Sequence, residues 1–116
     1  MGGPRVRILF VCSANKKRSR TGEDFMPEIY PGHEWDSAGT NRKMCQKEGS
    51  TVLTEDLLRW ADAVFVMEGR HLVEIKKHTG NTFASKVKVL GIPDRYEYGR
   101  SELIDVIADK ISAFIK

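Results

Sequence analysis

A thiol and a guanidinium lie six positions apart near the start of the chain, as Cys12 and Arg18. The residues between them are small or polar, an apolar run precedes them, and helix-forming residues follow. A strand, a short loop and a helix N-terminus in that order point backbone N–H groups at a bound anion. The segment therefore predicts a phosphate-binding loop, with the substrate contacted by Ser13, Ala14, Asn15, Lys16, Lys17 and Ser19.

Cys12 suits nucleophilic attack on phosphorus, because the thiolate is the reactive form of cysteine. The charged form would be favoured by Arg18, by the two lysines of the loop, by the helix N-terminus and by a hydrogen bond from Ser19. The planar guanidinium of Arg18 can also hold two oxygens of a phosphoryl group, which a lysine would do less well. The pattern predicts a phosphocysteine intermediate.

Asn15 suits the middle of such a loop, since asparagine tolerates a left-handed backbone and its amide can hydrogen-bond to neighbouring loop groups. Other interpretations of the segment stay open. A free cysteine at a strand end is often a small buried apolar residue. A run of basic side chains is often a solvated helix end.

Cleavage of a phosphate ester also needs a proton donor for the leaving oxygen. Asp94, which follows Pro93, is the candidate general acid and could later act as the base for water. Glu97 is the reserve candidate, and Asp94 could instead be a turn residue. Tyr96 and Tyr98 either wall the substrate pocket and stack on an aromatic group or are half-buried surface rings.

The elements that must position these residues alternate between strands and helices. A continuous apolar run predicts a central strand over Val6–Val11, and a short helix over Thr21–Met26 ends before Pro27. Glu34–Gly39 predicts a second strand. The stretch 41–51 is polar and poorly periodic, so we predict no element there.

The second half of the chain continues this alternation. Thr54 can cap a helix. A strand over Ala63–Met67, a helix that ends near Gly80 and a strand over Lys86–Ile92 follow. Apolar spacing over 103–115 predicts a closing amphipathic helix.

Alternating helices and doubly apolar strands predict an α/β fold, with one domain over residues 1–116. We predict an open, flavodoxin-like sheet of four parallel strands in the order 2-1-3-4, with helices on both faces. Ligands bind outside the carboxyl ends of the strands in such sheets. The loops after Val11, Met67 and Ile92 should therefore converge.

The segment from Val11 to Ser19 resembles the phosphate loop of the low-molecular-weight protein tyrosine phosphatases. Further matches follow in the family's order, at 37–40 after the second strand, at 61–62 and 66–67 around the third strand, and at Asp94. The resemblance implies a phosphatase acting on protein phosphotyrosine. It also implies the site roles: Cys12 as nucleophile, Arg18 binding phosphate, Ser19 stabilising the thiolate, Asn15 bracing the loop and Asp94 as general acid. From its chemistry alone, Tyr96 is added to the residues predicted to contact the substrate.

The chain departs from the family's pattern at several points. Ala14 stands where the family usually has glycine, and Lys17 stands where it usually has a second cysteine, so we expect no protective disulfide within the loop. Lys16 occupies the position that helps family members choose among phosphorylated side chains, which leaves a more anionic substrate open. The acid segment reads Pro93-Asp94 rather than Asp followed by Pro.

Composition and charge exclude several classes of protein. The 116 residues carry a net charge of +3, and no apolar run approaches the roughly 20 residues that span a bilayer. The start of the chain shows no signal sequence and only two cysteines occur, so we expect a cytoplasmic protein with reduced thiols. No histidine or cysteine spacing suits a metal, so no metal and no cofactor are predicted, and His33, His71 and His78 are interpreted as surface or helix-end residues.

Three other functions stay open. An arsenate reductase would use the same loop but needs further cysteines, and a phosphocysteine carrier would leave Arg18 and Asp94 without a purpose. A non-catalytic module could bind phosphate or a phospho-ligand through the basic residues of the loop. We expect the partner to be a phosphorylated protein or a small phosphate ester, with nucleic acid disfavoured and no membrane contact. The oligomeric state stays open.

Overall fold

The central strand of the sheet carries the predicted loop at its carboxyl end. Over residues 5–115, which the computed structural model describes, the sheet has four parallel strands in the order β2-β1-β3-β4. The strands are β1 (Arg7–Cys12), β2 (Glu34–Gly39), β3 (Ala63–Val66) and β4 (Val87–Val89). Cys12 pairs with Gly39 of β2, and Val11 pairs with Val66 of β3. The predicted α/β fold and the strand order 2-1-3-4 are confirmed.

The strand β1 is central because its side chains are apolar on both faces. Ile8 and Phe10 lie in one core cluster, Leu9 and Val11 lie in the other, and all four are fully buried. Side chains alternate between the two faces of a strand. A continuous apolar run is therefore what a strand covered on both sides requires.

Within residues 5–115, five α-helices surround this sheet. They are α1 (Arg18–Ile29), α2 (Arg42–Glu48), α3 (Glu55–Trp60), α4 (Gly69–Thr79) and α5 (Ser101–Ile111). Buried residues of α1 and α5 pack in the cluster of Phe10, and those of α3 and α4 pack in the cluster of Leu9. Helices thus cover both faces of the sheet. None of these five helices has the length and apolar character needed to cross a membrane.

The first helix is longer than the sequence predicts. It begins at Arg18 rather than Thr21 and continues to Ile29, so the prediction that Pro27 ends the helix was wrong. Proline removes one backbone donor, and here it does so in the last turn of the helix. The apolar packing of that turn outweighs the missing hydrogen bond, because the neighbouring Met26 is fully buried in the core.

The prediction that no element lies within 41–51 was also wrong, since α2 occupies most of this stretch. The Asn41 side chain accepts the backbone N–H of Met44 at 3.0 Å and so caps the helix. Gly49 ends it in the left-handed conformation, with φ of 69°. Cys45 is the buried residue of the helix, and a helix with one buried position shows no apolar period.

The last strand is shorter than predicted, and it ends at Val89 instead of covering Lys86–Ile92. The chain nevertheless stays against β3 beyond that point. The N–H of Ile92 donates to the carbonyl oxygen of Met67 at 2.8 Å. This contact brings the segment that carries Asp94 to the carboxyl end of the sheet.

The closing helix was predicted to reach residue 115, but it ends at Ile111. Phe114 lies beyond its end and is 49% exposed. Its ring packs on the edge of the core instead, with its centroid 5.5 Å from that of Phe65. The Phe114 side chain is therefore only half buried.

Gly39 makes a tight contact between β2 and the loop after Cys12. A Cβ at this position would lie closer than van der Waals contact allows to the carbonyl oxygen of Ser13 and to Sγ of Cys45. We expect Gly39→Ala to lower the free energy of unfolding by about 1–3 kcal/mol, because the loop or the thiol must move. Urea unfolding measures this change. Gly69→Ala is the matched control, since a Cβ there meets nothing within 4 Å, and equal losses in the two variants would contradict the prediction.

Candidate active site

The loop after β1 bends through a left-handed residue, Asn15, whose φ is 53°. Its side chain is buried and fully bonded. Nδ2 donates to the hydroxyls of Ser19 at 2.9 Å and Ser37 at 2.8 Å, and Oδ1 accepts the N–H of Thr51 at 3.1 Å. These three bonds stabilise a conformation that non-glycine residues rarely adopt. Asn15 thus connects the loop to β2 and to the segment after α2.

The Cys12 side chain lies at the base of this loop and is 3% exposed. Its Sγ is 2.9 Å from Oγ of Ser19. Ser19 Oγ already accepts the amide of Asn15, so its own proton is free to donate to the sulfur. Ser19 is thus placed to hydrogen-bond to the candidate nucleophile.

The backbone of the loop offers further donors. We find no protein acceptor within residues 5–115 for the N–H groups of residues 13–17. Unpaired backbone donors are costly when they are shielded from water. Several such N–H groups in one short loop, followed directly by the first turn of α1, are the arrangement that holds an anion.

Arg18 is the largest fully buried side chain of the protein's described part, at 2% exposure. Its Nη1 donates to Oε1 of Glu68 at 2.6 Å and to the carbonyl oxygen of Ile92 at 2.8 Å. These partners follow β3 and β4, so the predicted convergence of the three loops is observed at this side chain. Both bonds use Nη1, which leaves the Nε–Nη2 edge of the guanidinium for a bidentate anion. Nε lies 3.7 Å from Oδ1 of Asp94.

Glu68 is a site residue that the sequence analysis missed. Hydrogen bonds from Arg18 and then Arg70 lower the pKa of its carboxyl from 4.5 to about 2. The carboxylate therefore stays charged at neutral pH and compensates the buried guanidinium. Its position directly after the third strand was the available signal, because functional groups gather at that edge of a parallel sheet.

A cavity of about 230 Å³ opens above the loop. It is lined by Cys12, Ser13, Ala14, Lys16, Lys17, Arg18, Met44, Glu48 and Asp94. Met44 and Glu48 come from α2, the helix that the sequence did not predict, and so were missed as candidates. Glu48 pairs with Lys16 at 3.1 Å on the rim.

Of the two candidate acids, Asp94 lines this cavity and Glu97 does not. Glu97 pairs with Lys17 at 3.2 Å and lines a separate depression that also contains Tyr96. Tyr98 donates its hydroxyl to Asp24 at 2.6 Å and lines a neighbouring depression that shares Lys16 and Glu48 with the cavity. The structure therefore brings Asp94 to Cys12 and Arg18, whereas neither tyrosine lines the cavity itself.

The interpretation of His71 as a surface or helix-end residue was wrong in its exposure, because the ring is 1% exposed. Nδ1 accepts the backbone N–H of Glu68 at 3.0 Å, and Nε2 lies 3.0 Å from Oγ of Ser13. Burial, followed by the positive charges of Arg18 and Arg70, lowers the pKa of the ring from 6.5 to about 4. His71 is therefore neutral at physiological pH.

The second thiol also lies beside the loop. Cys45 is fully buried, and its Sγ is 3.7 Å from the carbonyl oxygen of Ser13. Both cysteines are free thiols. Among residues 5–115, no cluster of three or more histidine, cysteine, aspartate or glutamate side chains is arranged to hold a metal ion.

Comparison with known proteins finds similarity at the level of the fold. No family model and no curated protein matches the sequence. Solved structures do match. Wzb of Vibrio vulnificus in complex with benzylphosphonate is 22% identical, with a TM-score of 0.75 over 96% of this chain and 97% of that one. SP-PTP, a low molecular weight protein tyrosine phosphatase from Streptococcus pyogenes, is 17% identical, with a TM-score of 0.76 over 96% and 94%.

The chain shares the fold of the low-molecular-weight protein tyrosine phosphatases. The YwlE arginine phosphatase from Geobacillus stearothermophilus has it as well, at 25% identity and a TM-score of 0.66 over 94% of each chain. The resemblance seen in the sequence is thus confirmed for the fold. Structures with this fold include phosphatases described for two different phosphorylated side chains, so the fold leaves the substrate open.

The neutral ring of His71 makes stability depend on pH. Because the pKa of the ring is about 4 in the folded protein and 6.5 for an unperturbed imidazole, the unfolded chain takes up the proton first as the pH falls. The contribution of the neutral His71 ring to the free energy of unfolding is therefore fully present above pH 6.5. It falls by about 2–3 kcal/mol as the pH drops towards 4. We expect the difference in unfolding free energy between wild type and His71→Gln to shift by that amount over this range, in favour of the variant at low pH. Urea titrations measure it, and a constant difference would contradict the assignment.

Proposed function

We propose that this protein is a phosphatase that hydrolyses phosphate monoesters through a phosphocysteine intermediate on Cys12. The observation that carries the proposal is the pairing of two groups in one loop. The Cys12 thiol receives a hydrogen bond from Ser19, and the buried guanidinium of Arg18 keeps its Nε–Nη2 edge for an anion. A nucleophile and a preformed oxyanion clamp at the base of one cavity are what phosphoryl transfer to sulfur requires.

The reaction has two steps. In the first, Sγ of Cys12 forms a bond to phosphorus while the ester P–O bond breaks, and Asp94 gives its proton to the leaving oxygen. In the second, Asp94 takes a proton from water as the water oxygen attacks phosphorus. The P–S bond then breaks, which releases inorganic phosphate and restores the thiolate.

Positioned donors stabilise the transition state. Charge on the transferring phosphoryl group spreads over three equatorial oxygens. The Nε–Nη2 edge of Arg18 can hold two of them, and further donors come from the unpartnered N–H groups of a loop whose residues Ser13, Ala14, Lys16 and Lys17 line the same cavity. These donors are already oriented, so little reorganisation is needed during the reaction.

For the substrate we propose protein phosphotyrosine. One matched structure is described as a protein tyrosine phosphatase, and another holds benzylphosphonate, which carries an aromatic ring. Met44 supports this choice as the large apolar side chain that lines the cavity, because thioethers make favourable contacts with aromatic rings. The fold is also found in an arginine phosphatase, so the choice must be tested against other phosphorylated compounds.

The competing functions use the same residues less completely. An arsenate reductase would depend on Cys45 as its further thiol, and this thiol is fully buried. A carrier or a binding module would not need Asp94 beside Arg18. A reducing compartment such as the cytoplasm suits the proposal, since Cys12 must remain a free thiol.

Hydrolysis of p-nitrophenyl phosphate and phenyl phosphate without added metal tests the mechanism. Cys12→Ser should reduce turnover to background and leave no phosphocysteine to trap. Asp94→Asn should lower kcat by about 10²–10³-fold for phenyl phosphate, and by less for p-nitrophenyl phosphate, whose better leaving group needs the proton less.

Glu97→Gln is the matched control for the acid, and its kcat should stay within about fivefold of wild type because an exposed ion pair contributes little. A larger loss in Glu97→Gln than in Asp94→Asn would reverse the assignment. Tight phosphate binding by a wild type that hydrolyses neither ester would support a non-catalytic binding module instead.

The role of Met44 tests the substrate class. Met44→Ala should raise KM for a phosphotyrosine peptide by about two- to tenfold, which is the size of a sulfur–aromatic contact. Inhibition by inorganic phosphate should be unchanged, because phosphate reaches only the loop. Equal changes for the peptide and for phosphate would contradict an aromatic subsite at Met44.

A further inference from the structure

His71 connects two parts of the site that the proposed chemistry uses separately. Its ring lies in the first turn of α4, between the backbone of Glu68 and the hydroxyl of Ser13. Glu68 binds the guanidinium of Arg18, and Ser13 follows Cys12 in the phosphate loop. The ring is buried, so neither of its contacts competes freely with water.

The two contacts determine which nitrogen of His71 carries the proton. Nδ1 faces the backbone N–H of Glu68, which can only donate. Nδ1 must therefore accept, and in a neutral ring the proton lies on Nε2. Nε2–H then donates to Oγ of Ser13. The low pKa of the ring agrees with this state. In an imidazolium, the proton on Nδ1 would point at the N–H of Glu68, and the positive ring would also lie near the charges of Arg18 and Arg70.

This tautomer constrains the Ser13 hydroxyl in turn. Because Oγ accepts from His71, its own proton must point elsewhere. We find no other hydrogen-bond partner for this hydroxyl within residues 5–115, and Ser13 lines the cavity above Cys12. Ser13 also lines a second cavity, which it shares with His71. Rotation of the hydroxyl proton towards Cys12 makes this group a further donor for an anion.

We propose that His71 is a positioning residue of the phosphate site, which holds the Ser13 hydroxyl so that it donates to an anion bound above Cys12. The inference rests on the proposed function, which supplies the anion. His71 does not touch the substrate. It acts through Ser13 and, by accepting the N–H of Glu68, also holds the turn that carries the partner of Arg18.

Two substitutions at His71 separate the two contacts. The Asn side chain is short, and its Oδ1 can replace Nδ1 as acceptor for the Glu68 N–H, but it has no donor near Ser13. The longer Gln side chain can place its Nε2 donor where the histidine Nε2 lies. His71→Asn therefore removes the Ser13 contact, and His71→Gln retains it.

Calorimetric titration of the full chain with inorganic phosphate, together with p-nitrophenyl phosphate kinetics, tests the inference. We expect His71→Asn to bind phosphate roughly tenfold more weakly, as for loss of one hydrogen bond to a charged group, with His71→Gln within about threefold of wild type. Ser13→Ala should lose about as much as His71→Asn. The double variant Ser13→Ala/His71→Asn should lose no more than either single variant.

Thermal unfolding distinguishes this role from simple support of α4. If His71 only stabilised the start of the helix, His71→Asn would reduce the unfolding temperature and the phosphate affinity less than His71→Gln does. The affinity lost in His71→Asn would then add to the affinity lost in Ser13→Ala. Either result would overturn the inference. Ser13→Ala alone is decisive if both His71 variants fold poorly, because wild-type phosphate affinity in that variant would also overturn it.

The wild type separates failure of the inference from failure of the proposed function. A wild type that neither binds phosphate nor hydrolyses the ester would reject the phosphatase proposal and, with it, the positioning role. A wild type that does both, with equal affinities in His71→Asn and His71→Gln, would reject the positioning role alone.

Discussion

The burial of Arg18 is the constraint on which the site depends. A guanidinium removed from water is costly unless its donors and its charge find partners. Glu68 supplies the charge and the Ile92 carbonyl supplies a second acceptor, and both come from chain segments that follow other strands. The side chain that is proposed to bind phosphate thus also holds the loops after β1, β3 and β4 together. The contacts that stabilise the fold use Nη1 of this planar group, and the proposed phosphate contact uses its Nε–Nη2 edge.

The loop after β1 depends on a second buried network, centred on Asn15. Its left-handed backbone turns the chain so that several N–H groups lack internal partners, and three side-chain bonds hold that turn in place. One of these bonds fixes Ser19, which leaves the serine proton for the Cys12 sulfur. The absence of a side chain at Gly39 lets β2 approach the loop closely enough for this arrangement.

The charges around the cavity differ in how firmly they are held. Lys16 and Lys17 form ion pairs with Glu48 and Glu97 on the exposed rim, where such pairs contribute little and exchange readily. The Arg18–Glu68 pair lies at the base, where its guanidinium is shielded from water. The rim lysines can therefore turn to an incoming anion without loss of the fold, while the base of the site stays unchanged.

The sequence by itself determined the α/β class, the central strand, the loop from Cys12 to Arg18 and the candidate acid Asp94, because each depends on neighbours along the chain. An apolar run, a turn and a helix start are local patterns. Only the tertiary structure decided that Glu68 and His71 belong to the site, since their partners lie 50 and 58 positions away. The helix α2 was missed for a similar reason, because a helix with one buried side chain shows no apolar periodicity in the sequence. This helix nevertheless brings Met44 to the cavity. Contacts between distant segments follow from how the loops converge on one buried charge, and no local pattern contains that information.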